Sequence, residues 1–491
     1  MSGIAGVFST NHPATVEPVL QVINHRGDTP AQIWVGPRAT IGITGLSAIN
    51  ENTAPATTPS DGRAIVLDGR LTNTQKIRLG LGLHRLSGDS DAETILHYYE
   101  ENGSRIFGKL EGEFALALVD GDRMFLARDR LGIRPLYYGF KEGDLIFASE
   151  IKALLDQVET VHEFPPGNFL STNWGMYPYQ PYFPDPVQLD GASLSARQLA
   201  DHLREAVRRS LPQGVEIGVW LSGGVDSSVI AALARPFVER LYTFSAGVEG
   251  APDLEYARLV AEHIGAEHHE LVYGLDEMVA VIEKVVVNLE SFDAPLVHSA
   301  ISNYLVSKIA SDYVPFVLSG EGGDELFAGY AYQKACQGEV ELTLSIQEAI
   351  ASLHNTALQR VDRSASIHNC GVAAPFLNPD VVRFALAIPA RWMIRGPQST
   401  DKWPLRQGLA DALPEEVIWR GKSKFWQGSG TGALLSQYAR EKVPDEEFLQ
   451  GRDLGNGDQL NSKEEFLYYQ IFREYFHDKI PLKEIGRTEH I

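Results

Sequence analysis

The sequence predicts two domains: an N-terminal α+β layered sandwich and a C-terminal α/β doubly wound parallel sheet with added helices. Three observations carry this prediction. The chain has 491 residues, too many for one ordinary hydrophobic core. Short β-branched or aromatic runs bounded by Gly and Asp fill its first third, whereas strand-like and helix-like stretches alternate from about residue 195 onward. Hydrophobic residues make up 44% and charged residues 22%, the proportions of a packed globular protein and not of a disordered or fibrous one.

The strand-like runs of the first domain are Ile4 to Phe8, Ala39 to Ile43, Ala64 to Leu67, Phe114 to Val119, Met124 to Ala127 and Leu145 to Ala148. Helices are expected at Ala92 to Glu101 and Glu150 to Leu155. This domain is placed at residues 1–170. From Phe164 to about Ala192 the text turns to Pro, Gly, Asn, Tyr and Asp without a clear period, so a linker is placed at 171–194. Leu199, Leu203, Ala206 and Val207 then recur at helical spacing and open the second domain, 195–491. Strand Ile217 to Leu221 follows, then a glycine turn, helix Ser227 to Ala234, strand Arg240 to Ser245, helix Leu254 to Ile264 and strand His269 to Val272. Beyond Ile282 the chain reads as mainly helical, with one further strand at Val314 to Leu318. Ligands of such sheets bind at the carboxyl ends of the strands, where the turn at Ser222 falls.

Composition narrows the function classes. A formal charge of −21 repels nucleic-acid phosphates, and no Lys/Arg-rich run offsets it, so nucleic acid is not an expected partner. Cys336 and Cys370 are the only cysteines, which gives no disulfide framework and no CxxC metal motif. No window reaches a membrane-spanning length, and the first residues lack a basic stretch followed by a long apolar one. A cytoplasmic protein without a membrane partner is expected.

The chemistry concentrates in Leu221-Ser222-Gly223-Gly224-Val225-Asp226-Ser227-Ser228, which joins an apolar strand to an apolar helix. The glycines let backbone N–H groups turn inward, the helix N-terminus adds partial positive charge, and the Ser hydroxyls add donors. Such a loop suits a pyrophosphate, with Asp226 placed to hold the Mg²⁺ that offsets its charge. The loop is neither a GxGxxG nor a GxxxxGK[ST] pattern, so dinucleotide binding and ordinary kinase chemistry lose support. The plainer alternative is a glycine turn with a Ser/Asp helix cap.

SGGVDSS resembles the pyrophosphate loop of the ATP pyrophosphatases, which cleave ATP between the α- and β-phosphates. A second segment, Leu318-Ser319-Gly320-Glu321-Gly322-Gly323-Asp324-Glu325-Leu326-Phe327-Ala328-Gly329-Tyr330, resembles the matching part of the asparagine synthetase family. The resemblance extends to Arg128-Asp129-Arg130-Leu131-Gly132-Ile133-Arg134-Pro135-Leu136-Tyr137-Tyr138, Phe147 to Leu154, Pro165-Pro166-Gly167, Thr243-Phe244-Ser245 and Trp419-Arg420-Gly421-Lys422. It implies a glutaminase-type, Ntn-hydrolase-like first half and a synthetase second half that adenylates a carboxylate, aspartate or a related amino acid, and joins it to an amine. ATP and Mg²⁺ are the implied cofactors, small-molecule acid and amine substrates the implied partners, and a homodimer the implied assembly.

By the same resemblance ATP lies along Leu221, Ser222, Gly223, Gly224, Asp226 and Ser227, with adenine near Leu221, Val248 and Gly320. Asp226 and Asp324 ligate the metal, Glu321 deprotonates the incoming amine, and Lys422 stabilises charge beside the α-phosphate. A helix cap is the plainer role for Asp324, and solvated surface the plainer role for Lys422. Related β-lactam synthetases carry Tyr at the Glu321 position, so Glu321 points to an external amine.

Several departures bear on the nitrogen source. Glutamine-dependent members begin Met-Cys-Gly-Ile, and this chain begins Met1-Ser2-Gly3-Ile4, replacing a thiolate with a far poorer nucleophile. The family's glutamine-carboxylate Arg falls at or near Gly45, and its Asn-Gly-Glu reads Asp68-Gly69-Arg70. Asp91, the match to the acceptor for the glutamine amino group, is retained. The expectation is a degenerate glutaminase site, with free ammonia or another amine as donor. The acid pocket also departs: Pro295-Leu296-Val297 is apolar, and the family's Gly-Val-Glu-x-Arg-x-Pro-Phe-Leu reads Gly371-Val372-Ala373-Ala374-Pro375-Phe376-Leu377. A specialised-metabolite acid, ring closure, or a non-catalytic nucleotide-binding role stand as alternatives.

Overall fold

The computed structural model describes residues 2–9, 15–49, 53–58, 62–81, 86, 88–179, 181, 189, 191–396, 399–421, 429–455, 457–477, 480–481 and 484–488. The chain divides into two compact units, Met1–Phe183 with Lys479–Glu484 and Pro184–Asp478 with Ile485–Ile491.

The first unit holds twelve described strands: β1 Ser2–Phe8, β2 Gln32–Val35, β3 Ala39–Gly45, β4 Ala56–Thr57, β5 Arg63–Leu71, β6 Gly112–Asp120, β7 Arg123–Arg128, β8 Tyr137–Lys141, β9 Asp144–Ala148, β10 His162–Glu163, β11 Asn168–Ser171 and β12 Gly175–Pro178. They form two antiparallel sheets, in the orders β10-β8-β9-β1-β3-β2 and β12-β11-β7-β6-β5-β4. Period-two side-chain alternation explains how β5 to β7 serve two cores. Ala64, Val66, Ala115, Ala117 and Leu126 face Ile4, Ile41, Ile43 and Phe147 of the other sheet. Ile65, Leu67, Leu116, Leu118 and Phe125 face the opposite way, onto Ile95, Leu96 and Tyr99 of helix Asp91–Asn102. Ser90 caps that helix by accepting the Glu93 N–H.

The Arg128-Asp129 turn is held by its own charges. The Asp129 carboxylate accepts the N–H groups of Leu131, Ile133, Arg134 and Phe114 at 3.0 to 3.2 Å. Arg128 donates to the carbonyls of Arg134, Phe164 and Gly132. Both side chains are buried. The turn is therefore a structural clasp between β7 and β8.

Two expectations change. The stretch placed in a linker at 171–194 contains β12, paired to β11, which in turn pairs with β7. Its Gly, Asn and Pro residues suit an edge hairpin, where missing ladder donors do no harm. The helix expected at Glu150 to Leu155 is one 3₁₀ turn, Ile151–Ala153, which Glu150 precedes in extended backbone while its side chain pairs with Arg26.

The second unit is built on β13 Ile217–Trp220, β14 Leu241–Gly247, β15 Glu267–Val272, β16 Phe316–Leu318 and β17 Gly371–Ala373, all parallel, in the order β15-β14-β13-β16-β17. Helix Ala192–Ser210 precedes them, three residues ahead of the expected start. The chain winds outward from β13 to β15, then returns to place β16 on the other side of β13. Crossovers of one hand then put helices on both faces and leave a crevice between the carboxyl ends of β13 and β16. β17 is an addition to the sequence reading.

Candidate active site

The crevice is made by two loops, 221–224 after β13 and 319–322 after β16. In the first, Gly223 has φ of +70°, and a Cβ there would lie 2.7 Å from Asp253 O and Ala257 N, so only glycine fits. Ser222 and Ser227 lock the turn: Ser222 N–H donates to Ser227 Oγ at 3.1 Å, and the two hydroxyls are 3.0 Å apart. Helix Val225–Ala234 starts directly behind, its first turn aimed at the crevice. The second loop touches the first turn of that helix at Gly320, where a Cβ would stand 2.6 Å from Ser227 N.

Asp226 and Asp324, 98 positions apart in sequence, meet on a single ammonium, that of Lys402. Lys402 is 2% exposed. Burial alone would lower its pKa, yet the two carboxylates outweigh burial and hold it well above the ordinary lysine value. The backbone around it is fixed by Lys402 N–H to Phe327 O at 3.1 Å, and Arg406 on Asp401 at 2.6 Å anchors the same segment. Lys402 was not among the residues singled out from sequence. No local pattern marks it, since its partners are far away in the chain.

Glu321 lies in the same crevice, paired with Arg360 at 2.7 Å, and Arg360 also donates to Asn303 Oδ1. Glu325 is fully buried behind it and accepts the Tyr330 hydroxyl. Burial, together with Glu321 and Asp324, pushes the Glu325 carboxyl up to about 7. On the far side Arg420 donates to Asp253 at 2.6 Å and to Gly223 O at 3.1 Å, while its guanidinium lies 4.0 Å over the Tyr256 ring. Arg360 and Arg420 are further residues that sequence reasoning gave no role.

Lys402, Arg360 and Arg420 line a cavity of about 230 Å³ that takes in Leu221, Ser222, Gly224, Asp226, Ser227, Gly320, Glu321 and Asp324. Pro295 and Leu296 add apolar lining, and Ser299 a hydroxyl. Gly223 stands behind the wall and shapes it. Val248 does not line this cavity; its N–H donates to Ser429 O at 2.9 Å. Lys422 lies outside the described residues. Two carboxylates facing a cavity with amide donors fit magnesium, which takes one or two carboxylates and completes its shell with phosphate oxygens and water. Among the described residues no cluster of three or more His, Cys, Asp or Glu offers a metal cage.

In the first unit the structure gathers Ser2, Gly45, Asp68, Arg70 and Asp91 around the ends of β1, β3 and β5. Ser2 pairs across to Gly45, and its N–H donates to Asp68 Oδ1 at 2.8 Å. Arg26 lies between carboxylates: it bonds Glu150 at 2.9 Å, lies 3.5 Å from Asp68, and donates to Ser2 O. Arg70 is paired with Glu113 at 2.7 Å. Asp91 accepts the Leu71 N–H at 2.7 Å and the Thr74 hydroxyl. Burial raises the Asp91 pKa. Every one of these charged groups is engaged by protein.

A parallel sheet with a tight Gly/Ser loop at its switch point, joined in one chain to a two-sheet antiparallel sandwich, fits a nucleotide-dependent synthetase with an amidotransferase-type partner domain. The comparisons agree. The asparagine synthase family model matches residues 198–344 and 336–489, and the glutamine amidotransferase domain model matches 1–181. Asparagine synthetase B [glutamine-hydrolyzing] of Escherichia coli (strain K12) is 31% identical over 97% of this chain and 91% of its own length. Asparagine synthetase [glutamine-hydrolyzing] 3 of Arabidopsis thaliana is 32% identical over 84% of this chain and 75% of its own. The solved glutamine phosphoribosylpyrophosphate amidotransferase from B. subtilis covers 55% of this chain and 65% of its own, at 17% identity and a TM-score of 0.32, too slight a likeness to argue from. The chain belongs to the asparagine synthetase family. It is an ATP-binding enzyme of the amide-forming ligase type.

Among the described residues no helix is long and apolar enough to cross a membrane.

Proposed function

We propose that the second unit adenylates a carboxylic acid, aspartate or a related amino acid, and transfers the acyl group to free ammonia, releasing AMP and pyrophosphate. The observation that carries this reading is the meeting of Asp226 and Asp324 beside the Ser222–Ser227 turn. The loop amides and hydroxyls would bind the pyrophosphate portion of ATP, with Leu221 and Gly320 beside the nucleotide. Asp226 and Asp324 would hold Mg²⁺, whose charge offsets that of the phosphates. Glu321 would take the proton that an ammonium ion must lose before it attacks, and Arg360 would orient it. Lys422 would stabilise charge at the α-phosphate, a role carried by the family resemblance alone.

In the first unit, Ser2 lacks a thiol, Gly45 lacks a guanidinium, and Asp68, Arg70 and Asp91 are tied to protein partners. This supports a glutaminase-type domain that has lost glutamine hydrolysis. The charge of −21 supports small molecules rather than nucleic acid as partners. A second reading, in which the acid is not aspartate, draws on the apolar Pro295 and Leu296 side of the cavity.

The test is product analysis by mass spectrometry from ATP, Mg²⁺, a panel of acids, and either ammonia or glutamine. AMP, pyrophosphate and an amide formed with ammonia but not with glutamine are expected. ADP and phosphate would sink the proposal.

A further inference from the structure

Lys402 occupies the carboxylate oxygens that a divalent cation would use. Resting on the proposed role of Asp226 and Asp324, we propose that its ammonium is a built-in competitor for the metal: the two aspartates take up the ion only together with nucleotide phosphates.

The contact is built into the packing. A Cβ at Gly329 would fall 2.1 Å from Asp324 Oδ1 and 2.3 Å from Lys402 Cε, and one at Gly323 would fall 2.6 Å from Asp226 Oδ1. Glycines therefore clear the space in which the aspartates and the lysine meet. Lys402 itself has φ of +52°, a left-handed conformation that is unfavourable for a non-glycine residue. That strain is sustained by the hydrogen bond to Phe327 O and by the Asp401–Arg406 pair.

The electrostatics explain why such a cation is useful. Two neighbouring half-buried carboxylates repel, and one would tend to take up a proton unless a positive charge lies between them. The Lys402 ammonium, in contact with both, places a positive charge between them. It is also a compact point charge on a flexible stem, able to move without breaking a bidentate geometry as a guanidinium would. A metal ion alone must displace it and leave a buried ammonium without a partner. A metal ion arriving with pyrophosphate brings its own oxygen ligands and offers Lys402 new anionic partners, so the exchange becomes balanced. Metal and nucleotide binding are thereby coupled, and by linkage each strengthens the other.

The probe is Mn²⁺ titrated into the full-length protein without nucleotide, with free ion followed by electron paramagnetic resonance. Wild type and K402R, which keeps a cation, are expected to bind Mn²⁺ weakly and alike. K402M is expected to bind one Mn²⁺ at least about tenfold more tightly, and K402M/D226N to lose that gain. No gain in K402M, or a gain that survives D226N, overturns the proposal. Should K402M fold poorly, Mn²⁺ at about millimolar concentration is expected to raise its melting temperature and not that of wild type, by mass action on the folded state. An equal response of the two proteins overturns the proposal as well. Acid-dependent AMP release by wild type tests the proposed reaction separately, so failure of either idea is distinguishable from failure of the other.

Discussion

The guanidinium of Arg360 stands 2.7 Å from Glu321 Oε2, and its other amino group is bonded to Asn303. Helix Gln359–Ser366 thus reaches across to a loop 39 positions earlier and fixes the direction of a carboxylate at the floor of the crevice. In the proposed reaction Glu321 takes a proton from the incoming amine, a role that needs such fixing, because misplacement by about 1 Å costs on the order of 10²-fold in rate.

Arg360→Met should therefore lower amide formation by on the order of 10²-fold while ATP affinity changes little. Arg360→Lys should recover part of the loss. A double-mutant cycle with Glu321→Gln, read by urea denaturation, should give a coupling of about 1 to 3 kcal/mol. Additive effects would show that the pair is incidental to both fold and rate.

Restoring the thiol should not restore glutamine use. Ser2→Cys supplies a nucleophile, but Asp68 still accepts the residue 2 N–H, Arg70 is still committed to Glu113, and Gly45 offers no guanidinium. Glutamate release from glutamine by this variant is expected to stay at background. Ser2→Ala should leave the ammonia-dependent rate within about twofold, since the Ser2 hydroxyl belongs to the first unit and has no part in the proposed reaction. Robust glutaminase activity in Ser2→Cys would mean that the surrounding pairs open readily.

The strand-turn-helix loop at Ser222 was legible because its signals are local. Two glycines, a flanking apolar strand and an apolar helix follow one another within residues 217–234, and β1, β3, β5, β6, β7 and β9 are likewise marked by local β-branched or aromatic runs. β17 was not legible: Gly371-Val372-Ala373 is three residues long and carries only one good strand former. β11 and β12 were hidden by Pro, Gly and Asn, which read as linker although an edge hairpin tolerates them. Lys402 was hidden for a different reason. It meets Asp226 across 176 positions, and neither Asp401 nor Trp403 beside it forms a pattern that announces a charge in a cleft. The site is the product of strand order, which composition does not encode.

Gly223 gives the loop a direct test. Gly223→Ala would force a side chain into φ of +70° and place its Cβ 2.7 Å from two backbone atoms that cannot yield. A loss of about 2 kcal/mol or more and abolished ATP binding are expected, by thermal denaturation and equilibrium dialysis. Gly121→Ala is the control, with φ of +62° but nothing within 4 Å of the added atom. It should cost only about 1 kcal/mol, the intrinsic penalty of that conformation. Equal costs at the two positions would refute the crowding argument.

Glu325 should make stability depend on pH. Its carboxyl is pushed from 4.5 up to about 7, chiefly by burial and then by Glu321 and Asp324, while Tyr330 donates to it. The folded-state pKa lies above the unfolded one, so the folded protein binds this proton more tightly. The contribution is fully present below about pH 4.5 and is lost as pH rises through 7, where the buried group must ionise. Glu325→Gln keeps an oxygen for the Tyr330 hydroxyl and carries no charge at any pH. Compared at pH 5, the two proteins should unfold at similar urea concentrations. By pH 8 the variant should be the more stable, by on the order of 3 kcal/mol for a shift of this size. Parallel stability profiles from pH 5 to 8 would show that Glu325 is ionised throughout, with its charge met by the protein.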